Sequence, residues 1–343
     1  MVPLAFLPAW LAAALWTAAS VAALAVAVVV VRTEIGDRTA GWLVVVLVLG
    51  SLALEPVAQN FAFGQINLIV MLAVLVDVLR PERRWSGVLL GVAAGVKLTP
   101  LVFIVLLVLV GRRAAAGRAA LAFAVTVALG FLVVPGSATY WTDGLLDASR
   151  VGPPALAHNQ SVYGALTRLL GGPPPTVLWV VVAVPLAAVV LLTAALWWRR
   201  GDRLLGTCLA ALAMLLASPV SWSHHWVWAV PVALLLWQRS RRWAVVWTAV
   251  FVLRPVLWPP WGEGREYAWS PVDHVVGNTY VLAALAFATW AAVSAWVWRL
   301  PGPGRSSGAA PARRRRALEG INPLETADPR VQPGCHGHRR ARR

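Results

Sequence analysis

The chain has 343 residues, of which 59% are hydrophobic and only 13% charged, with 20 Trp and a net charge of +16. A mean hydropathy of +0.70 excludes an ordinary soluble domain, and apolar runs near membrane-spanning length recur along it. The positive charge lies in short loops and in a tail with eleven Arg from Arg299 on, which is a positive-inside pattern rather than a nucleic-acid groove.

The first apolar run, Ala5–Val31, ends at Arg32 and is followed by a loop with Arg38; the second, Gly41–Leu54, stops at Glu55-Pro56. A polar opening follows, from Ala58 to Gln65, and then a helix over Ile66–Leu79 that leads to Arg80, Arg83 and Arg84. The next stretch, Ser86–Gly111, is apolar except for Lys97, the only lysine, and has arginine pairs at both ends. Basic clusters stay on one side of a membrane, so this stretch is expected to be a re-entrant hairpin with its tip at Lys97-Leu98-Thr99-Pro100. Its first limb carries Gly87, Gly91 and Gly95, a spacing that lets backbones approach closely. The competing arrangement is one long tilted helix with Lys97 snorkelling to the interface. An ammonium group held at membrane depth marks a functional site by default.

A helix over Ala119–Val134 comes next, and then a long segment, 135–175, with a surface helix at Ser161–Leu170 whose Val162, Leu166, Leu169 and Leu170 share a face. Further helices are expected over Thr176–Trp198 and Leu204–Ala217, the latter broken at Ser218-Pro219. The polar interruption Ser221-Trp222-Ser223-His224-His225 opens another helix that ends before Arg239, and Trp243–Trp258 and Val275–Trp298 complete the set. Residues 300–343, rich in Pro, Gly and Arg, read as a disordered basic tail behind a membrane domain of residues 1–299. The fold class is therefore all-α and polytopic, with about ten or eleven membrane segments counting the hairpin twice. Assigning the arginine loops and the tail to the cytoplasm places Glu55, Gln65, Lys97, Asp143, Asp147, His158, Asn159, His224, His225 and the Trp258–Trp269 loop on the outer side.

Polar groups on broken helices at one face suit group transfer from a lipid phosphate, whose leaving charge is met by Lys, Arg or His without nucleotide or metal. Lys97, His224 and His225 are the candidate phosphate-binding residues, with a hydrogen-bonded histidine pair at a helix end as the equal alternative. Glu55 is the candidate base, or else a helix-start carboxylate that binds local amides. Gln65, Asn67, Asn159 and Gln160 are candidates for sugar or acceptor hydroxyls, or for joining helices. No metal site is expected, because His-His lacks a third ligand at a telling spacing. The Trp258, Trp261, Tyr267 and Trp269 cluster reads first as an interface belt and second as a sugar-stacking surface.

Four landmarks occur in order: Phe63-Gly64-Gln65-Ile66-Asn67-Leu68, Gly95-Val96-Lys97-Leu98-Thr99-Pro100, Asn159-Gln160-Ser161, and Ser218-Pro219-Val220-Ser221-Trp222-Ser223-His224-His225-Trp226. Together they resemble glycosyltransferase family 87, the polyprenyl-phosphate-mannose-dependent α-mannosyltransferases of the GT-C superfamily. The resemblance implies a GT-C-like helical bundle in the plasma membrane that moves mannose, with inversion, from a polyprenyl-phosphate sugar to a glycolipid or glycan acceptor on the outer face. With a lipid-linked sugar donor as co-substrate, no cofactor is expected. The resemblance also implies an Asp base in a first outer loop that has no counterpart here, which matches the topology above: the first helix must enter from outside, so either a further helix is expected upstream of Met1 or the start is unusual. A lipid-linked sugar transporter or flippase, or a catalytically dead truncated homologue, are the competing functions.

Overall fold

The computed structural model describes residues 6–37, 40–144 and 148–297. Arg38, Asp147 and the basic tail lie outside the described residues. Among the described residues the chain is helical throughout, and its single extended pairing is a bridge between Asn159 and Trp222.

Helix α1 (Ala9–Glu34) is apolar on every side, and buries one stripe through Ser20, Ala23, Leu24, Ala27, Val28 and Val31. The stripe recurs at three- and four-residue spacing, which is one face of a helix. Helix α2 (Trp42–Ser51) breaks at Leu52–Leu54 and turns by 81° into α3 (Glu55–Ala62), where Pro56 sits in the first helical turn. The polar opening expected from Ala58 to Gln65 is thus a short helix with a turn after it, because Pro56 interrupts the run without preventing a new start. Helices α4 (Asn67–Val78), α5 (Val88–Val96), α6 (Leu101–Leu109) and α7 (Arg113–Val133) follow. Helix α7 begins at Arg113, earlier than expected, with Arg113 and Arg118 in its first two turns.

The hairpin is formed by α5 and α6. A Cβ added to Gly87 would lie 2.1 Å from Ala115 O, one on Gly91 2.2 Å from Ala119 O, and one on Gly95 1.8 Å from Thr126 Oγ1. Contact positions that advance together along both helices show that α5 runs parallel to α7, so α6 must carry the chain back between them. The glycine row is what allows this backbone-to-backbone approach. Asp77, buried at the end of α4, fixes where α5 starts: its carboxylate accepts from Gly87 N at 2.9 Å and Leu90 N at 2.8 Å. A carboxylate there meets unpaired N–H groups and the positive end of the helix dipole.

Helix α8 (Val162–Leu170) is followed by α9 (Thr176–Arg199) and α10 (Arg203–Ala217), the latter buried from Leu204 to Leu216 and central to the bundle. In α8 the sequence-based face is corrected. The helix buries Val162, Gly164, Thr167 and Arg168 and leaves Leu169 and Leu170 exposed. Arg168 is drawn inside because its guanidinium donates to Ala155 O, Leu156 O, Asn159 O and Asn278 Oδ1. A 3-10 segment, Ser223–Trp228, leads into α11 (Ala229–Arg239), and α12 (Arg241–Leu253), α13 (Pro271–Gly277) and α14 (Thr279–Val297) complete the described chain.

Among the described residues four helices, α1, α7, α9 and α14, are long and apolar enough to cross a membrane, and the bent pair of α2 and α3 would make a fifth. That is fewer than the ten or eleven segments read from hydropathy. The difference is one of length: α4, α5, α6, α10, α11 and α12, of 9 to 15 residues each, are shorter than the ~20 residues a span needs.

The polar groups separate into two ends. At one end Arg80 pairs with Glu34 at 2.9 Å, Arg203 with Glu82 at 2.7 Å and Arg239 with Asp202, while Arg118 donates to Ser86 O. Arg112 and Glu82, 3.9 Å apart, bring the two roots of the hairpin together there. The hairpin tip, the histidines and the loops around Asn159 and Glu266 gather at the other end.

Candidate active site

Four chain breaks converge at the end away from the arginines. The turn after α3 places Gln65, with Gly64 at φ 57° and its carbonyl accepting Trp16 Nε1 at 2.9 Å. Asn67 opens α4. Lys97 ends α5 in extended conformation, and Pro100 starts the return limb. His224 and His225 stand in the 3-10 segment after the Pro219 break.

Asn67 joins three of these breaks. Its Oδ1 accepts from Lys97 Nζ at 2.7 Å and its Nδ2 donates to His224 O at 3.0 Å. One side chain thereby fixes the ammonium at the hairpin tip relative to the histidine segment. His224 packs edge-on to His225 at 4.7 Å and to Phe63 at 5.7 Å. Burial, with the nearby Lys97 and His158 charges adding to it, pushes His224 down to about 4, and His225 also falls well below the usual imidazole range through burial. Both rings are neutral at pH 7.

These groups line a cleft of about 930 Å³ that also takes in Thr99, Thr126, Gly130, Tyr140, Arg150 and Trp222. Arg150 stacks over Tyr140, 5.3 Å from the ring centre. Neither Lys97 nor Arg150 is ion-paired with another described residue. Lys97 and Arg150 bring two basic side chains to one cleft whose described lining residues include no Asp or Glu, with Asp143 beside Arg150 in the adjoining hollow, and this is an environment for an anion. One wall is α7, through Thr126, Val127, Gly130 and Phe131, and the rest of α7 exposes Leu121, Val125, Leu129 and Leu132. An apolar chain attached to that anion would have a greasy helix beside it.

The sequence-based candidates divide. Lys97, Gln65, His224 and His225 line the cleft, and Asn67 orients Lys97 from behind. Asn159 and Gln160 are fully buried and hold backbone instead. Asn159 donates to Pro154 O and Pro219 O and accepts from Ser221 N, and Gln160 Nε2 donates to Ala157 O and Gly277 O, each at 2.7 Å. They tie the 154–161 loop to the Pro219 break and to α13. Glu55 is also fully buried, accepts from Tyr280 OH at 3.1 Å, and is not part of the cleft lining. Sequence reasoning missed Arg150, Tyr140 and Trp222. Arg150 belongs to a long irregular segment and carried no periodicity that could single it out. Among the described residues no three His, Cys, Asp or Glu are placed to hold a metal ion.

A helical bundle with several helices of membrane-spanning length and a cleft lined by basic and polar side chains fits an integral membrane protein that takes an anionic ligand. The chain belongs to glycosyltransferase family 87, whose profile matches residues 1–219. A polyprenol-phosphate-mannose-dependent alpha-(1-2)-phosphatidylinositol pentamannoside mannosyltransferase of Mycobacterium tuberculosis is 37% identical over 312 residues, covering 85% of this chain and 70% of the relative. A phosphatidylinositol mannoside mannosyltransferase of the same kind from Mycobacterium tuberculosis is 35% identical, covering 79% and 66%. A pentamannoside mannosyltransferase from Mycolicibacterium smegmatis is 32% identical, covering 85% and 74%. The chain thus spans between 66% and 74% of the length of these relatives. No solved structure matches it significantly.

Proposed function

We propose that this glycosyltransferase moves mannose from a polyprenyl-phosphate-mannose donor to a phosphatidylinositol mannoside acceptor, with inversion, on the outer face of the plasma membrane. The donor and acceptor classes are those in the names of its relatives. The observation that carries the reading is Lys97, held by Asn67 at a re-entrant tip in a cleft that Arg150 also lines.

In this reading the acceptor hydroxyl oxygen bonds to the sugar C1 while the bond from C1 to the phosphate oxygen breaks from the opposite side. The hydroxyl proton passes to a base, and polyprenyl phosphate leaves with the electron pair. The charge that develops on the departing phosphate is what Lys97 and Arg150 stabilise, so the step needs no metal. The neutral imidazoles of His224 and His225 supply hydrogen bonds but no charge. Gln65 faces the sugar or acceptor hydroxyls, and the polyprenyl chain lies along α7 through Thr126, Gly130 and Phe131. The arginine end faces the cytoplasm, the tail included, because basic loops resist translocation.

The test is transfer of labelled mannose from polyprenyl-phosphate-mannose to a phosphatidylinositol mannoside by the full chain in membrane vesicles. The reading expects a new mannosylated lipid, sensitive to acceptor added from the outer side. Movement of the donor across the bilayer without any transfer would instead make the chain a carrier.

A further inference from the structure

Outside the cleft, at the same end of the bundle, the chain between α12 and α13 forms a second concavity of about 480 Å³, lined by Pro259, Pro260, Trp261, Gly262, Glu263 and Arg265. Its backbone is braced. Trp269 Nε1 donates to Pro260 O at 2.7 Å, Gly262 N to Glu266 Oε1 at 2.8 Å, and Arg265 Nε to Gly262 O at 3.1 Å. Glu266, buried, also accepts from Ala157 N, which couples the platform to the 154–161 loop.

Within this braced loop Glu263 adopts φ 56°, a left-handed conformation that costs a non-glycine residue on the order of 1 kcal/mol. Its side chain is exposed and lines the concavity together with Trp261 and Arg265. Trp261 is 41% exposed, and its edge meets His158 with ring centres 5.0 Å apart. His158 precedes Asn159, whose backbone pairs with Trp222 of the cleft, so the 154–161 loop stands between the cleft and Trp261.

An exposed indole with a carboxylate and a guanidinium in one rigid concavity matches the chemistry of a pyranose. The C–H face of the sugar covers the aromatic ring, while vicinal hydroxyls donate to the carboxylate and accept from the guanidinium. We propose that Trp261, Glu263 and Arg265 form a saccharide subsite that holds a hexose of the acceptor glycan, beyond the sugar that receives the mannose. The proposal rests on the mannosyl-transfer reading above for the identity of that hexose. In this arrangement the acceptor's glycan spans from the cleft across His158 to the platform. The chain then distinguishes long glycan acceptors from short ones through residues remote from the reacting atoms.

The experiment measures saturation transfer to a soluble α-linked oligomannoside from the full chain in nanodiscs, beside acceptor and donor KM in the transfer assay. Trp261→Ala should abolish the oligomannoside signal and raise the acceptor KM about tenfold, with donor KM and kcat little changed. Trp261→Phe should restore most of both, and unchanged thermal stability shows that Trp261→Ala is folded. An unaltered oligomannoside signal or acceptor KM in Trp261→Ala overturns the subsite and leaves Trp261 as an interfacial anchor only. Oligomannoside binding that depends on Trp261 in a chain that fails to use polyprenyl-phosphate-mannose upholds the subsite while refuting the donor reading.

Discussion

Replacing Lys97 by Ala removes the ammonium from the hairpin tip and leaves Asn67 with its link to His224 O alone. If Lys97 meets charge that develops on the departing phosphate, the loss resembles removal of one preorganised donor at an oxyanion, about 2.7–4 kcal/mol or 10²–10³ in kcat. Asn67→Ala keeps the ammonium but frees it from the 2.7 Å contact that aims it, and should cost roughly tenfold, about 1.4 kcal/mol. Because Asn67 acts through Lys97, the double variant should be barely worse than Lys97→Ala, with a coupling energy of about 1 kcal/mol. The assay is single-turnover transfer of labelled mannose in vesicles, with thermal stability of each variant followed in parallel. Strict additivity of the two losses would refute the claim that Asn67 works by positioning Lys97. Full activity in Lys97→Ala would remove the lysine from the chemistry.

Other consequences are as direct. Arg150→Ala should weaken donor binding, raising the donor KM by about tenfold, with little loss of thermal stability because Arg150 is exposed and stacks on the partly exposed Tyr140. Gly91→Ala forces a methyl to within 2.2 Å of Ala119 O and should destabilise the protein by about 1–3 kcal/mol, whereas Gly117→Ala, with open space around it, should not. Asp77→Ala leaves two N–H groups at the start of α5 without their acceptor and should cost about 2 kcal/mol in unfolding measurements, with Asp77→Asn intermediate. His224 is held neutral in the fold, with its pKa lowered to about 4, so protonation favours the unfolded chain. Stability from this group is complete above the ordinary imidazole pKa near 6.5 and is lost as pH falls towards 4, by roughly 3 kcal/mol in all. His224→Gln should flatten that acid limb of the melting profile, and an unaltered limb would contradict the assignment.

How far the sequence could be read depended on whether a residue's role was set by composition or by contacts at a distance. The hairpin was legible because arginines at both ends of one apolar run admit few arrangements, and because glycines every four residues announce a close helix neighbour. Lys97 was legible as the lone charge in that run. The pairing of Asn67 with both Lys97 and His224 was not, since it spans 30 residues one way and 157 the other. Asn159 and Gln160 look like sugar-binding amides in sequence, yet in the fold both are buried, Asn159 bonded to the Pro219 break and Gln160 Nε2 to Ala157 O and Gly277 O. Glu55 reads as a base at a helix end, but the 81° turn into α3 carries it inward against Tyr280. Arg168 has the opposite history: a charge expected on a surface helix is buried because four acceptors surround it.

The account stands or falls on the cleft as the place where a mannosyl phosphate is held. The most direct measurement is photo-crosslinking of a polyprenyl-phosphate-mannose carrying a diazirine near the phosphate, with the labelled peptides identified by mass spectrometry. The account predicts adducts on the hairpin tip around Lys97-Leu98-Thr99 and on α7 around Thr126–Phe131, competed by unlabelled donor and lost in Lys97→Ala. Adducts confined to the arginine end of the bundle, or a labelling pattern indifferent to Lys97, would contradict it.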